Sequence, residues 1–368
     1  MDDEARPFGA GSARPPGPHR RLPWGRRWPG HAPRHAPDER RRTYAALDLG
    51  TNNCRLLVAR PTADSFRVVD AFSRIIRLGE GVSASGVLGE AAIARALEAL
   101  AICRDKMANR GVTRARLIAT EACRAAANGS AFLARVRAEV GIELEIVDRE
   151  TEALLAATGC TPLMDPRVGG VLLFDIGGGS SELVRLGRSL PAAGGPPVPS
   201  ICAWASLPVG VVTLAERYGG ITVDRASFDA MVAEVSAFVG RFAGEHGGTD
   251  ADMHMLGTSG TVTTIAGVHL GLKRYDRRQV DGCWMSHGEV TSVVEQLLAM
   301  SYEDRVANGC IGRERADLVL AGCAILEAIR HTFPCERLRV ADRGLREGML
   351  VQMMREDGVW NGAAPRPW

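Results

Sequence analysis

Two short stretches of the chain place carboxylates, glycines and small polar residues at matching spacing. Asp48-Leu49-Gly50-Thr51-Asn52-Asn53-Cys54-Arg55 follows an apolar run that starts at Tyr44. Asp175-Ile176-Gly177-Gly178-Gly179-Ser180-Ser181-Glu182 follows the run 169–174. Each reads as apolar strand, Asp, apolar residue, Gly, small polar residues and a second apolar strand. A single Asp-x-Gly is a common hairpin turn. Two of them at the ends of apolar runs suggest two halves built on one plan, which would form a bilateral clamp if they faced each other across a cleft.

The chemistry these turns suit is phosphate chemistry. Gly177, Gly178 and Gly179 have no Cβ, so their backbone can take positive φ and come close to a ligand. Successive N–H groups then make a concave nest for anionic oxygens. Thr51, Asn52, Asn53, Ser180 and Ser181 can add side-chain donors. Asp48, Asp175 and Glu182 only accept when ionised, and would repel phosphate unless a cation intervened. Magnesium fits, with manganese an alternative, because it takes one or two carboxylates, several waters and phosphate oxygens. A plain tight turn is the competing explanation of the glycines. A third cluster, Gly257-Thr258-Ser259-Gly260-Thr261, follows a short apolar run. At a helix N-terminus, Gly260 and Thr261 suit an anion site and an ordinary cap equally well.

The pattern predicts the elements that must hold these turns. Strands are expected at Tyr44–Leu49, 54–60, 116–119, 142–147, 169–174, 182–186 and 337–340. Helices are expected over 89–108, 130–139, 224–243, 288–300, 315–331 and near 344–354. Residues 187–200, rich in Gly and Pro, read as a loop. Mixed strands and helices indicate an α/β architecture.

Composition excludes several classes. The formal net charge is +2 and 24% of residues are charged, so the chain as a whole is not a nucleic-acid binder. Nine scattered cysteines, none as C-x-x-C, give no zinc site and suggest reduced thiols. No apolar run reaches the roughly 20 residues that cross a bilayer. A secretory signal core is also absent, so a cytoplasmic location without membrane attachment is expected by elimination. Residues 1–42 are rich in Pro, Gly and Arg and are expected to form a disordered tail. The eight histidines lack the context of a nucleophile.

Seven motifs in order resemble the exopolyphosphatase/guanosine pentaphosphate phosphatase family, within the actin, sugar-kinase and heat-shock ATPase superfamily. They are Asp48–Asn52 with Arg55, Arg77-Leu78-Gly79-Glu80-Gly81, Thr120-Glu121-Ala122-Cys123-Arg124 with Asn128, Glu150-Thr151-Glu152, Asp175–Glu182, Gly257–Thr261, and Asp342-Arg343-Gly344-Leu345-Arg346-Glu347-Gly348. The resemblance implies two ribonuclease-H-like domains facing a central cleft. Their expected spans are 43–160 and 161–357, with the last helix packing back on the first and 358–368 flexible. It implies Glu152 as the carboxylate that positions or deprotonates water, Asp175 and Glu182 at the metal, and Arg124 on phosphate. On this chemistry Arg55 joins Arg124 in binding phosphoryl oxygens; Arg55 could also be a plain salt-bridge residue, and Glu152 an ordinary helix-terminal carboxylate.

The implied activity is release of terminal orthophosphate from inorganic polyphosphate, or hydrolysis of guanosine pentaphosphate. A small-metabolite kinase and a non-catalytic sensor are the rival classes. Dimerisation is common in that family. Two departures stand out: Asp148-Arg149 replace a frequent Ser-Gly, and Thr151 replaces the first Glu of a pair. The chain also ends soon after Arg346, without the C-terminal helical domains of long members, which puts processivity on long chains in doubt.

Overall fold

The computed structural model describes residues 42–189, 198–249 and 252–360. The expected tail, apart from Arg42, lies outside the described residues, as do 361–368. Among the described residues, eleven strands form two sheets. In the first, β1 (Tyr44–Leu49), β2 (Asn53–Pro61) and β3 (Phe66–Ile75) run as an antiparallel meander, and β4 (Arg114–Ala119) and β5 (Glu145–Ile146) add in parallel on the other side of β1.

The second sheet repeats that plan. β6 (Gly170–Ile176), β7 (Ser181–Ser189) and β8 (Val198–Leu207) form the meander. β9 (Met253–Thr258), then β11 (Arg337–Ala341), extend in parallel from β6, and β10 (Trp284–Ser286) closes the edge antiparallel to β11. The parallel centre explains why β1 and β6 read as nearly unbroken apolar runs, since helices cover such strands on both faces. The chain contains no helix long and apolar enough to cross a membrane among the described residues.

Several expectations need adjustment. β3 was not anticipated: most of its residues reach solvent, and an edge strand with one wet face has no continuous apolar signature. The strand expected over 142–147 shrinks to two residues, although Ile142, Leu144 and Val147 are buried as loop side chains. The ends of the expected loop 187–200 belong to β7 and β8, and its centre lies outside the described residues. At the end expected to be flexible, Trp360 is buried and its Nε1 donates to Thr62 O at 3.2 Å.

Helices fall near their expected places because their apolar residues keep helical spacing. Glu90–Asn109 buries Ile93, Ala96, Leu97, Leu100, Cys103 and Met107 on one face. Arg225–His246 is capped by Asp224, whose side chain accepts from Ser227 N. The helix Leu345–Glu356 joins the halves: Met349, Leu350 and Met353 pack with Tyr44, Ala46, Leu57 and Leu155 in one cluster of buried side chains. It crosses the helix Arg149–Cys160 at backbone contact. A Cβ on Gly348 would overlap the carbonyl of Leu155, and one on Gly159 the carbonyl of Gly344. The cysteines are all free; Cys202 is exposed, Cys283 half-buried and the others buried.

Candidate active site

The two Asp-Gly hairpins meet. A Cβ at Gly178 would lie 2.9 Å from Thr51 Cβ, and one at Gly179 would lie 2.9 Å from Thr51 Oγ1. Close approach, not unusual dihedrals, is what requires glycine here. None of Gly177, Gly178 and Gly179 lies in the left-handed region, so the close approach, not the dihedral freedom, is the part of the expectation used here. The carbonyls of Gly177 and Gly178 accept from Val211 and Val212, while Gly177 N donates to Ser180 O. The N–H groups of Thr51, Asn52, Gly178 and Gly179 donate to no backbone acceptor among the described residues. They border a cavity of about 150 Å³ between the sheets.

Register decides the charges that enter this cavity. In the first hairpin Asp48 stands opposite Arg55. In the second, Asp175 stands opposite Glu182, and facing residues of an antiparallel pair share one side of the sheet. Glu182 is buried, and its Oε1 accepts from Ser180 Oγ at 2.8 Å and Ser206 Oγ at 2.9 Å. Glu152 comes from the first turn of the helix Arg149–Cys160, whose start is fixed by Asp148 accepting from Thr151 N at 2.7 Å. All four carboxylates, with Glu121, line the cavity.

Burial works against their charges. It is the main reason Asp175 is pushed up to about 6, against the charge of Arg55 and with a further push from Asp48, and Glu182 to about 7, with a further push from Asp175. Glu152 is also raised, by burial first and then by Glu182, against the opposing charge of Arg124. Asp48 is raised by burial and drawn back by Arg55 and Arg346. The guanidinium groups of Arg55, Arg124 and Arg346 offset this burial only in part.

The residues present fit a hard divalent cation. Asn52 Oδ1 and Asn53 Oδ1 are buried without a hydrogen-bond partner, an arrangement that costs roughly 1–3 kcal/mol per group unless something is coordinated there. No three Asp, Glu, His or Cys side chains among the described residues converge as a self-sufficient metal site. Magnesium is commonly held by one or two carboxylates plus substrate phosphates, so this donor set matches it.

Four arginines line the same cavity, and one of them, Arg343, is paired with Asp281. The guanidinium groups of Arg55, Arg315 and Arg346 form no hydrogen bond and no close ion pair among the described residues, and burial lowers the pKa of Arg346. Arg346 stands at the start of the joining helix. Arg315 comes from the connection before Val319–Thr332. Neither was singled out from sequence. Arg346 lay inside a recognised motif, but Arg315 sits in an unremarkable Arg-rich stretch, and nothing in its neighbours distinguishes it.

Two expected phosphate ligands point elsewhere. Arg124 does not line the cavity. Its Nη1 donates to Val147 O at 2.6 Å, its Nε to Glu121 Oε2 at 3.0 Å and its Nη2 to Glu152 Oε2 at 3.1 Å. Arg149 completes this network by donating to Glu121 Oε1 at 2.9 Å. Ser181 Oγ donates to Val209 O at 2.8 Å and is fully buried, while the hydroxyl of Ser180 is already engaged by Glu182. The alternation of side chains along β7 sends Ser181 to the face opposite Glu182. Gly260 and Thr261 do border the cavity, where the helix Ser259–His269 begins. Ser259 holds that start with φ of 86°, uncommon for a residue with a Cβ, and its Oγ donates to Ile176 O at 2.7 Å.

Two α/β halves of one plan, with paired hairpins gripping an anion-suited cleft, define an actin-like fold. The chain belongs to the Ppx/GppA phosphatase family, whose model matches residues 57–357. It is similar to the guanosine-5'-triphosphate,3'-diphosphate pyrophosphatase of Photobacterium profundum, with 28% identity over 84% of this chain and 59% of that protein. It is also similar to a putative exopolyphosphatase of Haemophilus influenzae, with 24% identity over 85% of this chain and 91% of that one. The chain thus spans about three fifths of the pyrophosphatase relatives. Among solved structures it resembles the Aquifex aeolicus Ppx/GppA family member, with TM-score 0.70, 26% identity, and 86% and 98% of the two chains covered. An exopolyphosphatase-like protein gives TM-score 0.75 at 28% identity over 85% of this chain and 98% of that one.

Proposed function

We propose that this protein hydrolyses the terminal phosphoanhydride of inorganic polyphosphate, with 43–160 and 161–357 acting as the two jaws. The observation that carries the reading is the pairing, in one cavity, of three unpartnered arginines with a buried carboxylate row. An extended anion with an accompanying cation answers both. The polyphosphate reading is further supported by the relative spanned over nearly its whole length, which carries the exopolyphosphatase name. Relatives named for guanosine pentaphosphate support that substrate as the second reading.

Phosphoryl transfer needs positioning and charge neutralisation more than covalent chemistry. The free N–H groups of Thr51, Asn52, Gly178 and Gly179 receive phosphate oxygens, and Arg55, Arg315 and Arg346 bind those of the terminal phosphoryl group. Glu152, held by Arg124, orients a water and accepts its proton as the water oxygen attacks phosphorus. The bond to the bridging oxygen breaks, and that oxygen leaves on the shortened chain. A magnesium ion held by Asp175 and Glu182, with Asp48 nearby, would neutralise charge on the transferring group. The test is phosphate release from polyphosphate and from guanosine pentaphosphate, each with magnesium and with excess chelator. Release confined to magnesium-containing samples is expected, faster from polyphosphate. Full turnover in chelator would refute the metal reading, and inertness toward both substrates would refute the activity.

A further inference from the structure

A second cavity, of about 790 Å³, shares Arg343 and Glu347 with the wall of the first. Its lining is unbalanced in charge. Arg67, Arg277, Arg278, Arg339 and Arg343 meet only two carboxylates, Asp281 and Glu347. Both carboxylates are already committed: Asp281 accepts from Arg343 Nε at 3.1 Å, and Glu347 from Arg277 Nη2 at 2.9 Å. Arg339 donates through Nη1 to Leu163 O at 2.9 Å, yet its Nε is buried with no acceptor. Arg67 and Arg278 are exposed, and their guanidinium groups hydrogen-bond no acceptor among the described residues.

A buried donor without a partner and an excess of guanidinium charge both favour an anion. The cavity is much larger than one tetrahedral oxyanion, and its cations come from β3, β11, the short helix Arg277–Val280 and the connection after β11. That spread suits a ligand carrying several negative groups along a chain. We propose that this cleft is a second binding site, for an oligophosphate chain, separate from the hydrolytic cavity and independent of metal. Unlike the first cavity, it has no unpaired carboxylate that a cation must mask. The segment Asp342–Glu347 lies in the wall of the first cavity, and its Arg343 and Glu347 also line the second.

The experiment is calorimetric titration of the full chain with tripolyphosphate in excess chelator, with GDP and sulfate as comparisons at matched ionic strength. Saturable binding of tripolyphosphate is expected, tighter than that of GDP or sulfate. In the double variant R67A/R278A the affinity should fall about tenfold or more, as for loss of charge-assisted contacts. Both side chains are exposed, so the melting temperature of the variant should match the wild type. Absence of binding in chelator, equal affinity in the variant, or equal affinity for sulfate or GDP would overturn the assignment. Phosphate release is followed in the same samples. Turnover in chelator would count against the metal reading of the first cavity while leaving the comparison of wild type with variant intact.

Discussion

The two hairpins occupy equivalent places in equivalent sheets, yet they carry opposite electrostatics. In the first, the residue opposite the Asp is Arg55; in the second it is Glu182. One position in one register changes a balanced pair into two like charges. Burial raises all three, but Asp48 is drawn back by Arg55 and Arg346, whereas Glu182 is raised further by Asp175. On the proposed function, the repeated plan divides into a side for phosphate and a side for a cation. Such a division needs no change of backbone, because facing side chains set the charge and strand pairing sets which side chains face.

The comparison breaks or sharpens under substitution. The largest effect is expected at Glu152, which lies against both hairpins. Glu152→Gln keeps the shape and should lower turnover by about 100-fold or more, with substrate binding retained in single-turnover measurements. Wild-type turnover in this variant would remove Glu152 from the mechanism. Next come the two positions that distinguish the hairpins. Glu182→Gln should raise the magnesium concentration needed for half-maximal rate by about tenfold or more. Arg55→Gln should leave that requirement unchanged and raise KM for substrate. If both variants shift the same parameter, the proposed division of labour is wrong.

A smaller effect tests the contact between hairpins. Gly178→Ala introduces a Cβ against Thr51 and should cost about 1–3 kcal/mol, read as a lower melting temperature together with a reduced rate. A variant as stable and active as wild type would show that the hairpins can separate freely.

The smallest expected effect lies outside the cleft, where a carboxylate has the partners that Asp175 lacks. Asp70 accepts from Lys106 and Arg110, each at 2.8 Å, and these bonds hold it down at about 2. Its folded pKa lies below the unfolded value of about 3.9. Its stabilisation is therefore fully present above about pH 4 and lost as pH falls through 2. Asp70→Asn should destabilise the chain by less than about 1 kcal/mol at neutral pH. The gap from wild type should close as pH is lowered from 4 to 2, as measured by denaturant unfolding. A gap independent of pH would mean that packing, not charge, is responsible.

Sequence alone was enough to locate both hairpins, because an Asp-x-Gly turn after an apolar run is a local event. It was enough for the long helices, whose apolar spacing is written within one segment, and it offered Glu152, Asp175 and Glu182 as candidates, which the structure brings to one cavity. Burial across neighbouring segments was not legible, so β3 was missed and β5 was drawn too long. Side-chain direction was also left to tertiary structure: Arg124 serves Glu152 and Glu121, and Ser181 turns inward to Val209. The meeting of Arg55, Arg315 and Arg346 joins positions separated by most of the chain, as do the arginines of the second cleft. Local pattern records what a segment can bury. Only the packing of the two halves decides which charges are left without partners, because that depends on what every other segment brings to the same place.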